Sequence, residues 1–540
     1  MIPRLETPPS RTVLVLLALA FALPGLVGHD PWKSFDAIAI EVVHQMHRTG
    51  DWLLPRIATD PWLEDPPLYH WIALAFAKAF GSILPLHGAI RLASGVFVLA
   101  ALAFVYLAAR NRAPGDERRA AGATAMLVLL GSLGLIVHAH EAVTDLAALA
   151  AICAAFLFWP HDEARPVAGG IGFGASLGLA FLASGPVAPA ALLLAALSAP
   201  IACSPLRTRG ALVFLAVATV VAAVVSASWP VVLALRAPEL AAAWWSSVLE
   251  PRGALVSNLR YYLVTASWFT WPAWPLALWA LWHQRAALLD PRAFAPLVAL
   301  VFLLAAIAGM GPTQDINCIV LLPALALLAP QGIDALRRGA ANALDWFGVM
   351  TFSLFAALVW LGYVSMVTGV PQRIAKNFIR SAPGFTAEFH PAAVALALAL
   401  LAGWLVLVVF APPSPARGVL RWAGGVALLW GSFATLWLPW ADHQKSYRGV
   451  ALQLKAKIPA GAKCIGRAGL GNAQRAAFSY HAAIHTRPFD RTSAPGCPLL
   501  LVQGHPQHER DAPGAGWVKL ADTGRPRDKD ERFRLYQFRP

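Results

Sequence analysis

Charge is scarce in this sequence. Asp, Glu, Lys and Arg make up 13% of 540 residues, against roughly 25% in an ordinary soluble chain. With 58% hydrophobic residues and a mean hydropathy of +0.58, water is excluded as the main solvent of its surface. Acidic residues are the scarcer sign, 29 against 43 Lys and Arg, for a net charge of +14. That excess does not imply a nucleic-acid partner. The basic residues sit between apolar runs and in the C-terminal tail, without a binding motif, as the positive-inside rule and anionic headgroups require. Five cysteines give no metal framework. Cys153, Cys203 and Cys318 fall in or beside apolar runs and read as inert core thiols. Cys464 and Cys497 are the pair in the polar tail; they form a disulfide in an oxidising compartment or stay free thiols, and the sequence leaves both open. A Walker loop and a Rossmann fingerprint are also missing, and His44 and His47 lack the Glu of a zincin helix.

What is present is a series of apolar runs. A bilayer core takes about 20 apolar residues per helix. Suitable runs cover residues 12–27, 88–109, 120–137, 142–158, 167–183, 186–201, 211–235, 261–282, 296–310, 316–328, 346–366, 391–410 and 419–437. The expected fold class is therefore an all-α polytopic membrane protein of about 13 transmembrane helices, with residues 441–540 as a small soluble α/β domain after a membrane module spanning 1–440. The run at 12–27 has no small-x-small cleavage site behind it and reads as an uncleaved first span. Arg110, Arg112, Arg118, Arg119, Arg165, Arg207, Arg209, Arg285, Arg292, Arg337, Arg338, Arg417 and Arg421 mark alternate turns as cytoplasmic. Loop 28–87 and the tail then face outward, into the periplasm of a bacterial inner membrane.

Loop 28–87 is more than a linker. Ser34 suits a helix N-cap and Asp36 the first turn, where a carboxylate meets the helix dipole. Phe35, Ile38, Val42 and Met46 fall on one face, which predicts an amphipathic helix in the membrane interface that Gly50 ends. A second helix is expected from 67 to 80, with Pro66 and Pro67 fixing its start. Two stretches, HDPWKSFDAIAIEVVHQMHRTGDWLLPRI (29–57) and DPWLEDPPLYHW (60–71), set carboxylates beside Trp and Tyr rings. Carboxylates can meet sugar hydroxyls while rings cover C–H faces. An interfacial aromatic belt with solvated charges has the same composition.

The order of these residues resembles the GT-C membrane glycosyltransferases, in the branch that holds the aminoarabinose transferase and the protein O-mannosyltransferases. The matching positions are Phe35-Asp36, Gly50-Asp51-Trp52 with Pro55, Leu63-Glu64-Asp65-Pro66-Pro67, and Arg91. HAHEAVTDLAAL (138–149), FLASGPVAPAALL (181–193) and Asn258-Leu259-Arg260-Tyr261-Tyr262 are partial matches further on. Three positions depart from the pattern. The first acid of the family's pair is Phe35, and two family lysines are Asp65 and Ser184.

The resemblance implies a polyprenyl-phosphate sugar as donor, with lipid A, another surface glycan or a protein as acceptor, and inversion at the anomeric carbon. It implies a general base, for which Asp36 is the first candidate and Asp145, beside Thr144, the second. Lys33, Arg56, Arg91 and Arg260 are the candidate phosphate contacts, with the arginines favoured because a planar fork meets two oxygens. Glu64, Asp65 and Tyr69 belong to the same expected site, with His138 and Glu141 on the acceptor side. No cofactor is required; a divalent metal is compatible, with Asp36 as a ligand, although no ligand spacing specifies one. A non-catalytic lipid-binding or flippase-like protein and a secondary transporter are the competing readings. The clean spans and the absence of repeats count against the transporter.

Overall fold

The computed structural model describes residues 8–159, 165–310, 312–462, 464–489, 497–505, 513–526, 528 and 530–539. The N-terminal half runs α1 (Arg11–Ala22), α2 (Phe35–Thr49), β1 (Arg56–Ile57), β2 (Asp60–Pro61), α3 (Leu68–Phe80), α4 (Leu86–Arg112), α5 (Arg118–Leu130), α6 (Leu133–His138), α7 (Asp145–Phe158), α8 (Pro166–Ser184) and α9 (Val187–Ala202). The chain continues through α10 (Arg209–Arg236), α11 (Pro238–Leu249), α12 (Leu255–Phe269), α13 (Ala273–His283), α14 (Pro291–Met310), α15 (Leu322–Leu328), α16 (Pro330–Ile333) and α17 (Arg338–Thr368). It closes with α18 (Gln372–Ser381), α19 (Pro391–Phe410), α20 (Arg417–Leu436), α21 (Leu438–Lys445), α22 (Arg448–Lys457), β3 (Ile465–Ala468), α23 (Asn472–Ala482), β4 (Arg487–Pro488), β5 (Leu499–Gly504), β6 (Trp517–Thr523) and β7 (Arg532–Phe538).

Among the described residues, seven helices are long and apolar enough to cross a membrane: α4, α8, α10, α14, α17, α19 and α20. Shorter apolar helices take up further predicted runs, among them α1, α7 and α9. Counting by hydropathy assumes unbroken helices, and several runs are broken. The run at 120–137 divides between α5 and α6, and that at 261–282 between α12 and α13. The two breaks meet, with the Leu133 N–H donating to the Trp271 carbonyl at 3.0 Å. Backbone freed by one break thus satisfies the other, which is how non-helical backbone survives at such depth.

Helix contacts follow side-chain size. Gly170, Gly174 and Gly178 form a stripe on α8 where a Cβ would collide with the backbone or valines of α10; removing side chains lets two apolar helices approach without a hydrophobic driving force. α20 is nearly all buried, whereas α19 exposes Leu396, Leu398, Leu405, Val406, Val409 and Phe410, as a lipid-facing helix should. Asp345 joins α17 to α20 by ion pairs of 2.8 Å to Arg417 and 2.9 Å to Arg421.

The tail forms a five-stranded sheet in the order β4-β3-β5-β7-β6. β3 is parallel to β4 and β5, while β7 is antiparallel to β5 and β6. Cys464 and Cys497 are joined in a disulfide with their Cα atoms 5.0 Å apart. It ties the approaches to the neighbouring strands β3 and β5. The strand-like runs of the tail sequence, Pro498–Gln503 and Phe533–Phe538, fall on β5 and β7.

Loop 28–87 and the tail share one hydrophobic core. Ile40, Val43 and Met46 of α2 are buried in the same cluster as Phe478, Leu499 and Phe533. α2 has its expected length and ends at Gly50, whose φ of 73° is left-handed and costs glycine little. The expected interfacial setting is corrected. Ala37, Ala39, Glu41 and Gln45 are buried along with Val42 and Met46, while Phe35 and Ile38 are half-buried, because the tail covers the helix. Ser34 holds the N-cap position without a capping hydrogen bond. The second loop helix begins at Leu68, directly after Pro67.

Candidate active site

The segment before α7 is fixed by two buried contacts from α4. Arg91 donates from Nε to Asp36 Oδ1 at 2.9 Å and from Nη2 to Asp36 Oδ2 at 2.6 Å. Its remaining donors reach the carbonyls of His29 and Asp30, both at 2.8 Å. Asp36 also accepts from the backbone N–H groups of Trp32 at 2.9 Å and Ala142 at 2.8 Å. One turn on, Ser94 shares a 2.7 Å hydrogen bond with Tyr69 and donates to the Glu141 carbonyl at 2.7 Å. Residues 141 and 142 are thereby held, and Asp145 is placed at the first position of α7.

This clamp engages residues that the sequence expectation gave to the reacting site. Asp36 and Arg91 are both 0% exposed, and each carboxylate oxygen carries two donors. Burial would raise the Asp36 carboxyl, but the Arg91 charge and hydrogen bonds hold it below the usual carboxylate range. A carboxylate so engaged cannot take a proton from an acceptor or ligate a metal, and a guanidinium so engaged has no fork left for a phosphate. Tyr69 is a buried support whose hydroxyl is turned to Ser94. His138 and Glu141 pair with each other at 3.2 Å. Arg56 lies on the β1-β2 hairpin, bonded to the Thr59 carbonyl, and Arg260 lies on an exposed face of α12. None of these residues lines the cavity described next.

A cavity of about 860 Å³ opens between loop 28–87, the start of α7, α11 and the tail. Lys33, Glu64, Asp65 and Asp145 line it, together with Arg252, Asn317 and Gln474, which the sequence reading did not single out. Phe35, Asp65 and Ser184, the positions that depart from the family pattern, all line this same cavity. Burial raises the Asp65 carboxyl to about 8, and the neighbouring charges of Asp145 and Glu64 add to the shift, against a hydrogen bond from Thr144. At neutral pH it is mostly a neutral acid that can donate a hydrogen bond. Burial also raises the Glu64 carboxyl, with Arg252 opposing it. Thr144, at the N-cap of α7, makes no side-chain capping bond, while the Asp145 carboxylate accepts from its own backbone N–H.

The cations on the wall differ in availability. Lys33 is held at 2.5 Å by Glu531, which also accepts from Tyr447 at 2.6 Å and Gln474 at 3.0 Å. Among the described residues, the Arg252 guanidinium makes one weak bond, to the Ser247 carbonyl at 3.4 Å, and the rest of its fork is open. The tail supplies Asn472, Ala473 and Gln474 to the wall. No tail motif pointed to them; their only sequence signal was a polar segment between strand-like runs. Among the described residues, no three His, Cys, Asp or Glu side chains come together to hold a metal ion.

No family model matches the chain. It is 26% identical over 443 residues to the undecaprenyl phosphate-alpha-4-amino-4-deoxy-L-arabinose arabinosyl transferase of Serratia proteamaculans (strain 568), covering 76% of this chain and 73% of that one. The enzyme of the same name from Aeromonas salmonicida (strain A449) is 25% identical over 457 residues, covering 81% and 77%. The crystal structure of ArnT from Cupriavidus metallidurans bound to undecaprenyl phosphate superposes with a TM-score of 0.69 at 18% identity, covering 97% of each chain. This chain has the fold of that ArnT. It is a multi-pass membrane protein of that type. The apo structure of the same ArnT superposes with a TM-score of 0.68.

Proposed function

We propose that this chain transfers a sugar from a polyprenyl-phosphate donor to an acceptor hydroxyl at the periplasmic face of the inner membrane. One observation carries the reading. Leu63, Glu64 and Asp65, from the segment that aligns in kind with the family's donor site, line a single large cavity with Asp145 and Arg252, in a chain similar to undecaprenyl-phosphate sugar transferases along most of its length.

The chemistry follows from the wall. The acceptor oxygen attacks the anomeric carbon while the bond from that carbon to the phosphate oxygen breaks, and its electron pair leaves with the polyprenyl phosphate. The acceptor's proton passes to the Asp145 carboxylate, a general-base step of about 10²–10⁴-fold. Arg252 meets the charge growing on the phosphate, where a guanidinium acts best in a site with little water. The neutral Asp65 acid donates a hydrogen bond to a donor oxygen where the family pattern has a lysine. Asp36 and Arg91 take no direct part; they position residues 141–145.

The test is transfer by the purified chain in proteoliposomes supplied with undecaprenyl-phosphate aminoarabinose, read as release of undecaprenyl phosphate. Mass spectrometry of envelope glycolipids from a deletion strain identifies the acceptor. Release no faster than from empty liposomes, together with an unchanged glycolipid profile, would refute the proposal.

A further inference from the structure

Part of the main cavity wall has no role in the chemistry above. α9 is a helix of 16 residues whose first two, Val187 and Ala188, line the cavity. Pro186 holds the N-cap position and gives no side-chain capping bond. The helix begins its backbone ladder with the Ala190 N–H donating to the Pro186 carbonyl at 3.0 Å, and Pro189 has no N–H to give. The N–H groups of Val187 and Ala188 therefore have no partner among the described residues. Gly185, with a φ of 82°, makes the turn from α8 into α9, and a Cβ there would meet nothing within 4 Å. The space before the helix is open.

His70, on α3, lines the same cavity and is 1% exposed. Burial lowers its pKa to about 4, so the ring is neutral. Its Nδ1 is sealed in the protein without a partner, which leaves Nε2 as the polar atom that can meet the cavity. A sealed N–H is rarer than a sealed lone pair, so the ring carries its proton on Nε2 as a donor. α3 and α9 come together through the end of α8. Leu68 and Trp71 of α3 pack against the cluster that holds Phe181 and Leu182, and α9 starts just beyond them, after Gly185. Two orphan helix N–H groups and a buried, unpartnered imidazole are thereby brought to one part of the wall. Such donors suit an oxyanion. Glu64 and Asp145 line the cavity too, so an anion held here depends on aimed N–H groups more than on net charge.

We propose that the N-terminus of α9 and His70 form a pocket for the phosphate of a polyprenyl phosphate. The N–H groups of Val187 and Ala188 meet its charged oxygens, and His70 donates to the same phosphate from Nε2. The inference rests on the transferase reading above and adds to it a recognition element without formal charge. This wall selects the phosphorylated lipid over the free polyprenol, while Arg252 acts on the charge that grows during transfer.

The experiment is native mass spectrometry of the full chain in detergent, titrated separately with undecaprenyl phosphate, undecaprenol and inorganic phosphate. The wild type is expected to hold undecaprenyl phosphate at least about tenfold more tightly than undecaprenol, the worth of one hydrogen bond to a charged group. His70→Phe keeps a ring and loses the donor, and should weaken undecaprenyl phosphate by about tenfold with undecaprenol unchanged. His70→Gln keeps an N–H and should recover most of that loss. Val187→Asp sets a carboxylate at the helix N-terminus, where it suits the helix dipole but repels phosphate. It should weaken undecaprenyl phosphate by a similar factor with thermal unfolding unaltered, whereas Val187→Asn should not. Undecaprenyl phosphate held equally by the wild type, His70→Phe and Val187→Asp overturns the proposal and leaves the transferase reading standing. Inorganic phosphate held as tightly as the lipid overturns it as well. A wild type that holds undecaprenyl phosphate no better than undecaprenol refutes both.

Discussion

Asp36 and Asp65 belong to the same loop, 28–87, yet their environments are opposite: Asp36 is fully buried and Asp65 half-buried on the cavity wall. Asp36 faces a guanidinium and two backbone N–H groups and is held ionised. Burial, with the charges of Asp145 and Glu64 adding to it, pushes Asp65 to about 8. A buried charge with every oxygen satisfied fixes geometry, whereas an acid crowded by like charges beside a cavity is reactive in character. The difference separates the part of the loop that builds the site from the part that would work in it.

The sharpest way to break that comparison is to remove one member of each group. Asp145→Asn should lower kcat by about 10²–10⁴-fold and leave thermal unfolding in detergent nearly unchanged. Asp36→Ala or Arg91→Ala should instead destabilise the fold by about 3–5 kcal/mol, since each strands a buried charge. Replacing both partners with apolar residues should restore much of that stability. An Asp36→Ala protein that unfolds like wild type but transfers no sugar would return the base role to Asp36.

The pH dependence sharpens the contrast. The folded value for Asp65, about 8, lies above its ordinary 3.8, so between those values the folded protein keeps a proton that the unfolded chain releases. The Asp65 contribution to stability therefore falls as pH rises from about 4 to about 8, then levels off. Asp65→Asn should remove this contribution, visible as a flatter plot of melting temperature against pH. Curves that stay parallel would place the Asp65 proton elsewhere. A smaller effect is expected at Arg252. Arg252→Gln should raise KM for the donor by about 10–100-fold, the worth of one charged hydrogen-bonding group, with the melting temperature held.

Much of the frame was legible in the sequence, for physical reasons. Apolar periodicity marked the membrane body, Gly50 and Pro67 marked the ends of the loop helices, and the β5 and β7 segments showed as strand-like runs. The site was legible only in part. Glu64, Asp65 and Asp145 reach the cavity, but a linear motif cannot tell a carboxylate facing a ligand from one facing a buried arginine. Asp36 and Arg91 lie 55 residues apart, and their union depends on how α2 and α4 pack. Arg252 and Gln474 were illegible because they come from separate elements, α11's following turn and α23, that only the fold brings to one wall.

The smallest expected effect concerns the tail's share of that wall. Asp60, on β2, accepts from Arg467 at 2.8 Å and from Arg475 at 2.5 Å, joining the loop hairpin to β3 and α23. The carboxylate is 34% exposed, so water screens the pair and each contact is worth little alone. Two arginines on one carboxylate still fix a geometry, and α23 is the helix that begins at the cavity with Asn472, Ala473 and Gln474. Asp60→Asn should therefore cost about 1 kcal/mol or less in stability and act chiefly on substrate affinity, raising KM a few-fold with kcat nearly unchanged. The effect should shrink at high salt, where the wild-type contacts are themselves screened. An unchanged KM at low salt would show that the shared hydrophobic core of α2 and α23 sets this wall without help from the charges.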